Sequence, residues 1–538
     1  MLRIVLGLLL LAFLLVSSVH ADTPPAFKIG IEMPMQIPVS EHVKSALKDL
    51  GISYINYYVY NGCSEPKPDA PAADVNKAGM DLADYLGADF SIAGCNYDPP
   101  DDCVRTAVER YKSNGRFRGV LIDELEWVRL MVDYSPVRLA YTSKCQTLEQ
   151  ASDLTLAGYQ KTVSKFAGLG TQLTSTHVWP ILHHTAARAG CIVSPKICKE
   201  FFSPVSLAIG MGAAKEYGRQ LWVDCDMWFW DLVPGHTPEE IRSNLLLAYW
   251  LGADLVYLEG CGYNLIPAGK QGSPFSLINT GGEVENAQFT PIGEMLRSFC
   301  RDYLPAHKRE WTFRDVNPSI AIVRFDDTCH GQRYTGVPDN LFGSANLHSN
   351  ADTEAWLQIW NTITFGKTGR DGISFFKAYM GGYGWDRPPG GATWPSYASR
   401  PMQADSHRFF VPMNGAVVYD HLVGYDLLKG IPLLFLSGTE VSEQTMQAIR
   451  KCVNEGAVCV AWGPLAVKNG FKEWKSGVSV IPTGKGKFII TDDFGLGKVY
   501  GEISMLLGRA DEIKYRFGSR TVVLKRVTDN EVNVDIQM

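Results

Sequence analysis

The segment GVLID at residues 119–123 is a short apolar run that ends in a carboxylate. The same pattern returns in DLVYLE at residues 254–259, which ends in Glu259. Because burying an unpaired carboxylate is costly, an acid directly after such a run indicates a buried strand that opens onto a polar site. We therefore expect both strands to end at the functional site of the protein.

Similar apolar runs alternate with helical stretches along the chain, which indicates βα units and a parallel sheet. Eight such units in about 290 residues match a (β/α)₈ TIM barrel. An open doubly wound sheet is disfavoured because no Gly-x-Gly-x-x-Gly follows the first strand. The predicted strands are residues 27–32, 52–60, 89–94, 119–123, 172–181, 220–227 and 254–259, with a weak eighth strand at 275–279.

A second α/β unit follows the predicted barrel. It begins with the apolar run SIAIVRF at residues 319–325, and residues 470–538 read as short strands with glycine turns. We expect a signal peptide at 1–21, a barrel at 22–315, an α/β domain at 316–468 and a small β domain at 469–538.

The first residues have the pattern of a secretory signal peptide. Arg3 precedes an apolar run at residues 4–16, and Val19 and Ala21 supply the small residues of a cleavage site. The run is shorter than the roughly 20 residues that span a bilayer. The sequence therefore predicts cleavage after Ala21, a secreted or periplasmic protein, and no membrane association after cleavage.

Composition and charge exclude several classes of protein. The 538 residues are 46% hydrophobic, with a formal net charge of −6. That composition can form a packed core, and the mild negative charge argues against nucleic acid as a partner. Twelve cysteines fit an oxidising compartment, so we expect disulfide bonds. The pairs close in sequence are Cys95/Cys103, Cys191/Cys198 and Cys452/Cys459.

The active site of a (β/α)₈ barrel lies at the carboxyl ends of its strands. Paired carboxylates across a pocket hydrolyse glycosides, since one donates a proton while the other attacks the sugar or activates water. Tryptophans offer flat platforms for sugar rings. We therefore expect a carbohydrate substrate and no cofactor. The residues at the predicted strand ends are Glu32, Asp123, Glu124, Glu126, His177, Trp179, Asp224, Asp226, Trp228 and Glu259.

These features resemble a known clan of enzymes. Acids end the fourth strand and, on this count, the seventh strand. Their positions resemble those of the two catalytic acids in the retaining glycoside hydrolases of clan A. The stretch from YDLLKGIPLLFLSG at residue 425 to NEGAVCVAWGP at residue 454 is similar to the flavodoxin-like domain of family-42 β-galactosidases. The order of barrel, flavodoxin-like domain and small β domain is also the same.

The resemblance implies that Glu259 is the nucleophile and Glu124 the acid/base, and it implies a homo-oligomer. Two departures from the family are evident. Asp123 stands where the family has Asn, and no Arg occurs in ISYINYYVYNG at residues 52–62. A substrate other than a plain β-galactoside is therefore expected. Acid roles for Glu126 or Asp123, and an inverting scheme that uses Asp226, stay open.

Two other functions compete with glycoside hydrolysis. A metal-dependent hydrolase would use His177, His183, Asp224 or Asp226 as ligands that converge on one ion. A non-catalytic carbohydrate-binding protein would keep the barrel but turn nothing over. Fold alone does not separate them, because barrels host many chemistries.

Overall fold

A computed structural model provides the structure of the chain. It describes residues 26–33, 39–60, 71–131, 135–198, 202–227, 236–259, 263–264, 277–279, 287–326, 341–369 and 409–538. The expected signal peptide and Trp228 lie outside these described residues. Within them, no helix is long and apolar enough to cross a membrane.

Eight parallel strands form a closed barrel in chain order, and β1 pairs with β8 to close it. This confirms the predicted TIM barrel. The strands are β1 (Lys28–Met33), β2 (Tyr54–Tyr58), β3 (Asp89–Gly94), β4 (Phe117–Ile122), β5 (Leu173–His177), β6 (Ile192–Ile197), β7 (Trp222–Asp226) and β8 (Leu255–Glu259).

Helices cover the outside of the barrel. Their starts follow from local capping: the Ser40 hydroxyl accepts from the Val43 amide, and the Thr237 hydroxyl accepts from the Glu240 amide. The helices are α1 (Glu41–Leu50), α2 (Ala72–Leu86), α3 (Asp101–Arg110), α4 (Leu148–Gly168), α5 (His183–Ala189), α6 (Ser203–Glu216), α7 (Pro238–Trp250) and α8 (Pro291–Ser298).

The predicted strand count needs a correction. The strand IVSPKI, β6, is absent from the prediction, whereas the expected eighth strand at 275–279 is not part of the barrel. Its described residues Ile278–Asn279 pair instead with Tyr263–Asn264 and Gln288–Phe289 in a separate small sheet. Glu259 therefore ends the eighth barrel strand, and Asp226 ends the seventh.

The barrel interior is filled by side chains at alternate strand positions. A lower layer is apolar and aromatic, with Tyr54 against Trp222 at a ring-centroid distance of 5.6 Å. The rest of this buried cluster is Leu121, Ile192, Leu255 and Tyr257. Because side chains two residues further along a strand share the same face, the layer above holds the acids at the strand ends.

The second unit is a six-stranded sheet. Its strands are β13 (Ile320–Arg324), β15 (Ala416–Asp420), β16 (Leu433–Ser437), β17 (Val458–Trp462), β18 (Ser479–Thr483) and β19 (Gly486–Thr491). They lie in the order β15-β13-β16-β17-β19-β18, and all of the pairings are parallel except that of β18 with β19. Its helices are α9 (Ala351–Ile363), α10 (Tyr425–Leu428), α11 (Glu443–Glu455), α12 (Gly463–Lys468) and α13 (Gly497–Ile503).

A smaller sheet completes the fold and places the last domain boundary later than expected. Strands β18 and β19 extend the α/β sheet past residue 468, where we expected the small β domain to begin. The small sheet is built from β20 (Glu512–Phe517), β21 (Arg520–Arg526) and β22 (Val532–Gln537). Two short strands, β12 (Val316–Asn317) and β14 (Met413–Asn414), pair with β20.

Helix α6 of the barrel packs directly on edge strand β15 of the α/β sheet. A Cβ built on Gly212 would lie 1.7 Å from the Val418 carbonyl oxygen, so only glycine permits this approach. Tyr217 at the end of α6 donates to the Asp420 carboxylate across the same contact, at 2.7 Å. The barrel and the α/β unit thus share a tightly packed interface.

The described residues include eight buried free thiols. Cys103, Cys191, Cys198, Cys452 and Cys459 are buried free thiols, so none of the three pairs close in sequence is bonded. The Sγ atom of Cys198 lies 3.7 Å from that of Cys225, which is on the neighbouring strand.

Candidate active site

A buried lysine lies at the centre of the acidic layer. Lys196, on β6, places its ammonium 2.5 Å from Glu259 Oε2, 3.0 Å from Asp226 Oδ2 and 3.1 Å from Glu124 Oε1. The same nitrogen lies 3.1 Å from Asp123 Oδ1 and 3.8 Å from Asp224 Oδ2. The barrel therefore brings together carboxylates that follow or end three different strands, β4, β7 and β8.

Negative charge exceeds positive charge in this cluster. Glu32 at the end of β1 is also close enough to interact electrostatically with Glu259 and Asp123, which makes six carboxylates. Among the described residues, Lys196 is the only cation within ion-pair distance of them. Like charges at such short range disfavour each other's ionised form, which raises the pKa of these carboxyl groups where burial does so as well.

The pKa shifts follow from burial and from this crowding. Burial, together with Glu259 and Asp123, raises the pKa of Glu32 well above its usual range. Burial and the charges of Glu124 and Asp226 raise the pKa of Asp123 to about 6, although Lys196 opposes them. Burial would lower the pKa of Lys196, but the surrounding carboxylates raise it well above its usual range, so the amine stays charged.

Asp224 and Glu259 lie close together, with carboxylate oxygens within 4.8 Å of each other. The Tyr257 hydroxyl donates to Asp224, at 2.8 Å. Burial raises the pKa of both carboxyl groups well above the usual range, and Lys196 opposes the shift in each. The ammonium therefore favours the ionised form of both groups, against the effect of burial.

The carboxylates differ in how far solvent reaches them. The side chains of Glu124 and Glu259 are 13% and 12% exposed, whereas those of Asp224 and Asp226 are fully buried. A substrate that enters the barrel mouth therefore meets Glu124 and Glu259 first. Asp224 and Asp226 lie behind them and support their charges.

Glu124 has an unusual backbone. Its φ is 48°, in the left-handed region that favours glycine, and its carbonyl accepts from the amides of Trp127 and Val128. This sharp turn directly after β4 aims the Glu124 side chain back toward Lys196. Non-glycine residues in this conformation are uncommon and concentrate at functional sites.

Glu126 lies near Glu124 but does not contact Lys196. Its Oε1 atom accepts from the amides of Val178 and Trp179, at 2.8 and 3.2 Å. Burial and the charge of Glu124 raise the pKa of Glu126 well above its usual range, and the amide bonds oppose that shift. The Trp179 ring is buried against Trp127, at a centroid distance of 5.8 Å.

The histidines lie on the other face of the barrel wall. His177 stacks on His183 at 4.5 Å and on Tyr159 of α4 at 6.2 Å, and its Nε2 atom is 2.7 Å from Ser175 Oγ. Its neighbour Thr176 instead faces the interior and contacts Tyr257. Burial lowers the pKa of His177 to about 4. His177 and His183 therefore do not converge with Asp224 and Asp226, as the metal-dependent hydrolase required.

Among the described residues, one set of three carboxylates has the spacing of a cation site. Ligand oxygens of Asp123, Asp224 and Glu259 all lie within 4.8 Å of one another. The Lys196 ammonium already contacts Asp123 and Glu259 and lies 3.8 Å from Asp224, so it fills the position that a cation would take. A metal ion would have to displace this lysine.

Lys196 is the main residue that the sequence prediction misses. It was overlooked together with β6, because Pro195 makes the segment read poorly as a central strand. The signal was present: IVSPKI is a β-branched run that follows a glycine turn at Gly190. Lys196 also supplies a positive charge at the site, whereas residues 52–62, around β2, contain no arginine.

Comparisons with known proteins support the fold. No family model and no curated protein matches the sequence. Among solved structures, a β-galactosidase from Bacillus circulans sp. alkalophilus matches with a TM-score of 0.56 and 9% identity, over 93% of each chain. A catalytic mutant of the GH42 β-galactosidase Gan42B from G. stearothermophilus matches with a TM-score of 0.53 and 9% identity, over 93% of this chain and 92% of that one.

The fold is thus that of a closed (β/α)₈ barrel followed by further α/β and β units. More particularly, the likeness of fold to these two β-galactosidases extends over 93% of the chain and is not confined to the barrel.

Proposed function

We propose that the protein is a glycoside hydrolase that cleaves a poly- or oligosaccharide with Glu124 and Glu259 as its two reacting carboxylates. One observation carries the proposal: both side chains reach the open end of the barrel and share the Lys196 ammonium. The architecture of the two β-galactosidases supports the same class of reaction.

The geometry favours a retaining mechanism. Retaining enzymes hold the two carboxyl groups about 5–5.5 Å apart, and inverting enzymes about 6.5–9.5 Å apart. Glu124 Oε1 and Glu259 Oε2 both contact the Lys196 nitrogen, at 3.1 and 2.5 Å. The two carboxylate oxygens are therefore close enough together for the separation that retaining enzymes use. In the proposed reaction, Glu259 attacks the anomeric carbon while Glu124 protonates the leaving oxygen. Water, deprotonated by Glu124, then releases the sugar from Glu259.

Lys196 holds Glu259 in the form that this reaction needs. The ammonium stabilises the ionised carboxylate before it attacks the sugar. Glu32 and Asp123 line the same layer, where their carboxyl oxygens can accept hydrogen bonds from sugar hydroxyls, and the fully buried Asp226 supports the charges behind them.

The test is a turnover screen of the purified protein on aryl glycosides and on plant, algal and microbial polysaccharides. Glu124→Gln and Glu259→Gln should each lose at least about 10³-fold in kcat. Glu149→Gln, on the exposed first turn of α4, is the matched control and should retain activity. Activity that survives in both site variants would contradict the assignment.

Azide separates the two roles. With azide as a small nucleophile, Glu124→Ala should yield a glycosyl azide that keeps the anomeric configuration of the substrate. Glu259→Ala should yield the opposite anomer, because azide then attacks the sugar directly. The reverse pattern of products would make Glu124 the nucleophile and Glu259 the acid/base. Separately, loss of activity on chelation with EDTA would favour a metal-dependent reaction.

Export, disulfide formation and self-association complete the proposal. The pattern of residues 1–21 supports cleavage after Ala21, which N-terminal sequencing of the exported protein tests. Peptide mapping without reductant tests for disulfide bonds. Light scattering tests the homo-oligomer, and a monomer at working concentration would end that part of the proposal.

A further inference from the structure

A carboxylate from the α/β unit contacts the barrel domain at the connection that follows β5. Asp326 follows β13 and is buried. Its Oδ1 atom accepts from the Leu182 amide at 3.0 Å, and its Oδ2 atom accepts from the Thr185 amide at 3.2 Å and from the Thr185 hydroxyl at 3.1 Å. Three donors at the start of α5 therefore converge on one side chain from another part of the fold.

The first of these donors, the Leu182 amide, lies at the end of the short connection between β5 and α5, residues 178–182. Leu182 has a φ of 60°, which is costly for a leucine and needs support from its surroundings. Ile181 is fixed by its amide, which donates to the Trp179 carbonyl, and by its own carbonyl, which lies 2.8 Å from His177 Nδ1. The connection is thus held at its far end by Asp326.

The near end of the same connection holds the active-site carboxylate Glu126. The amides of Val178 and Trp179 both donate to Glu126 Oε1. Glu126 in turn lies close enough to Glu124 for their charges to interact. A displacement of the connection would therefore remove two hydrogen bonds from Glu126 and change the charge that faces Glu124.

We propose that Asp326 is a positioning residue of the active site, which acts from the α/β unit by fixing residues 178–182 against Glu126. Its effect on turnover rests on the proposed glycoside hydrolysis, whereas its effect on the connection does not. The α/β unit then has a role beyond packing, because it supplies the anchor for one wall of the site.

The first experiment measures hydrogen exchange and needs no substrate. In Asp326→Asn and Asp326→Ala, the amides of Val178 and Trp179 should exchange faster than in the native protein. Ser344→Ala is the matched control, since it also removes a buried hydrogen bond between the two units, from Ser344 Oγ to the Cys145 carbonyl. Thr185→Val removes only one donor and serves if the Asp326 variants do not fold. Exchange at Val178 and Trp179 no faster than in the control would overturn the proposal.

The second experiment is a double-mutant cycle on kcat. Asp326→Asn should lower kcat by about 10- to 100-fold with a smaller change in KM, because a displaced wall misaligns the reacting groups. Its effect should be much smaller in the background of Glu126→Leu, which removes the Oε1 acceptor, since both changes act through the same contact. Additive effects would mean that Asp326 does not act through Glu126. If the native protein turns over no glycoside, the proposed function fails, and the exchange comparison alone decides the role of Asp326.

Discussion

The ammonium of Lys196 lies 2.5 Å from Oε2 of Glu259, inside a barrel whose other charged groups at that level are carboxylates. An ion pair that is buried in this way is strongly coupled to its surroundings, because removing one partner leaves the other uncompensated. The pair links the charge of the candidate nucleophile to a residue on a different strand.

Lys196→Met should move the acidic limb of the pH dependence of kcat/KM to higher pH. Lys196 opposes the rise in the pKa of Glu259, so its loss raises that pKa further and delays ionisation of the nucleophile. At about pH 5, kcat/KM should fall by about tenfold or more relative to Lys196→Arg, which keeps the charge. An unchanged acidic limb in Lys196→Met would show that the lysine does not control Glu259.

Glu32→Gln should stabilise the protein at neutral and alkaline pH but not at acidic pH. Because burial and nearby carboxylates raise the pKa of Glu32, the folded state holds this proton more tightly than the unfolded state, and ionisation costs stability as the pH rises. We expect Tm to rise by about 2–4 °C at about pH 8 and to be unchanged near pH 4. Glu473→Gln, which alters an exposed carboxylate, is the control and should change neither value.

Glu124→Gly should unfold at a higher urea concentration than Glu124→Ala, although both variants lose the reacting carboxylate. The φ of 48° penalises any side chain, and glycine relieves that penalty, by about 1 kcal/mol. Equilibrium unfolding of the two variants measures the difference directly. Equal midpoints would show that this backbone turn is not strained.

Gly212→Ala should destabilise the protein by about 3 kcal/mol, because the new methyl group would overlap the Val418 carbonyl and push α6 away from β15. Gly168→Ala is the matched control, as a helical glycine with no atom within 4 Å of the added Cβ, and it should be neutral or slightly stabilising. Thermal unfolding of both variants tests this, and equal effects would rule out a close contact at Gly212.

Much of the barrel could be predicted from local patterns. Seven of its strands are apolar runs with clear ends, and the acids after β4 and in β7 and β8 stand where a barrel places its site. The remaining barrel strand, β6, was not predicted, and its sequence shows why. Pro195 lacks the amide that a central strand normally uses, and only the closed barrel reveals that IVSPKI fills the gap between β5 and β7.

The candidate site was predicted in composition but not in arrangement. Sequence identifies Glu124 and Glu259 as strand-end acids, but it does not reveal that a lysine contacts both of them, since a buried lysine is rare unless it is paired. It also does not separate His177 from the acids, because the direction of a side chain depends on which face of the strand it occupies. The end of the α/β unit was misplaced for a similar reason, since β18 and β19 join a sheet whose other strands lie far away in sequence.

A lysine surrounded by acids also restricts how this barrel can evolve. A mutation that removes Lys196 leaves six carboxylates to repel one another, and a mutation that adds a second cation upsets the balance of charge among the acids. A single substitution of Lys196 or of one of the six carboxylates therefore carries a cost, whichever of them changes first. The inherited set of charges should persist or be replaced as a group.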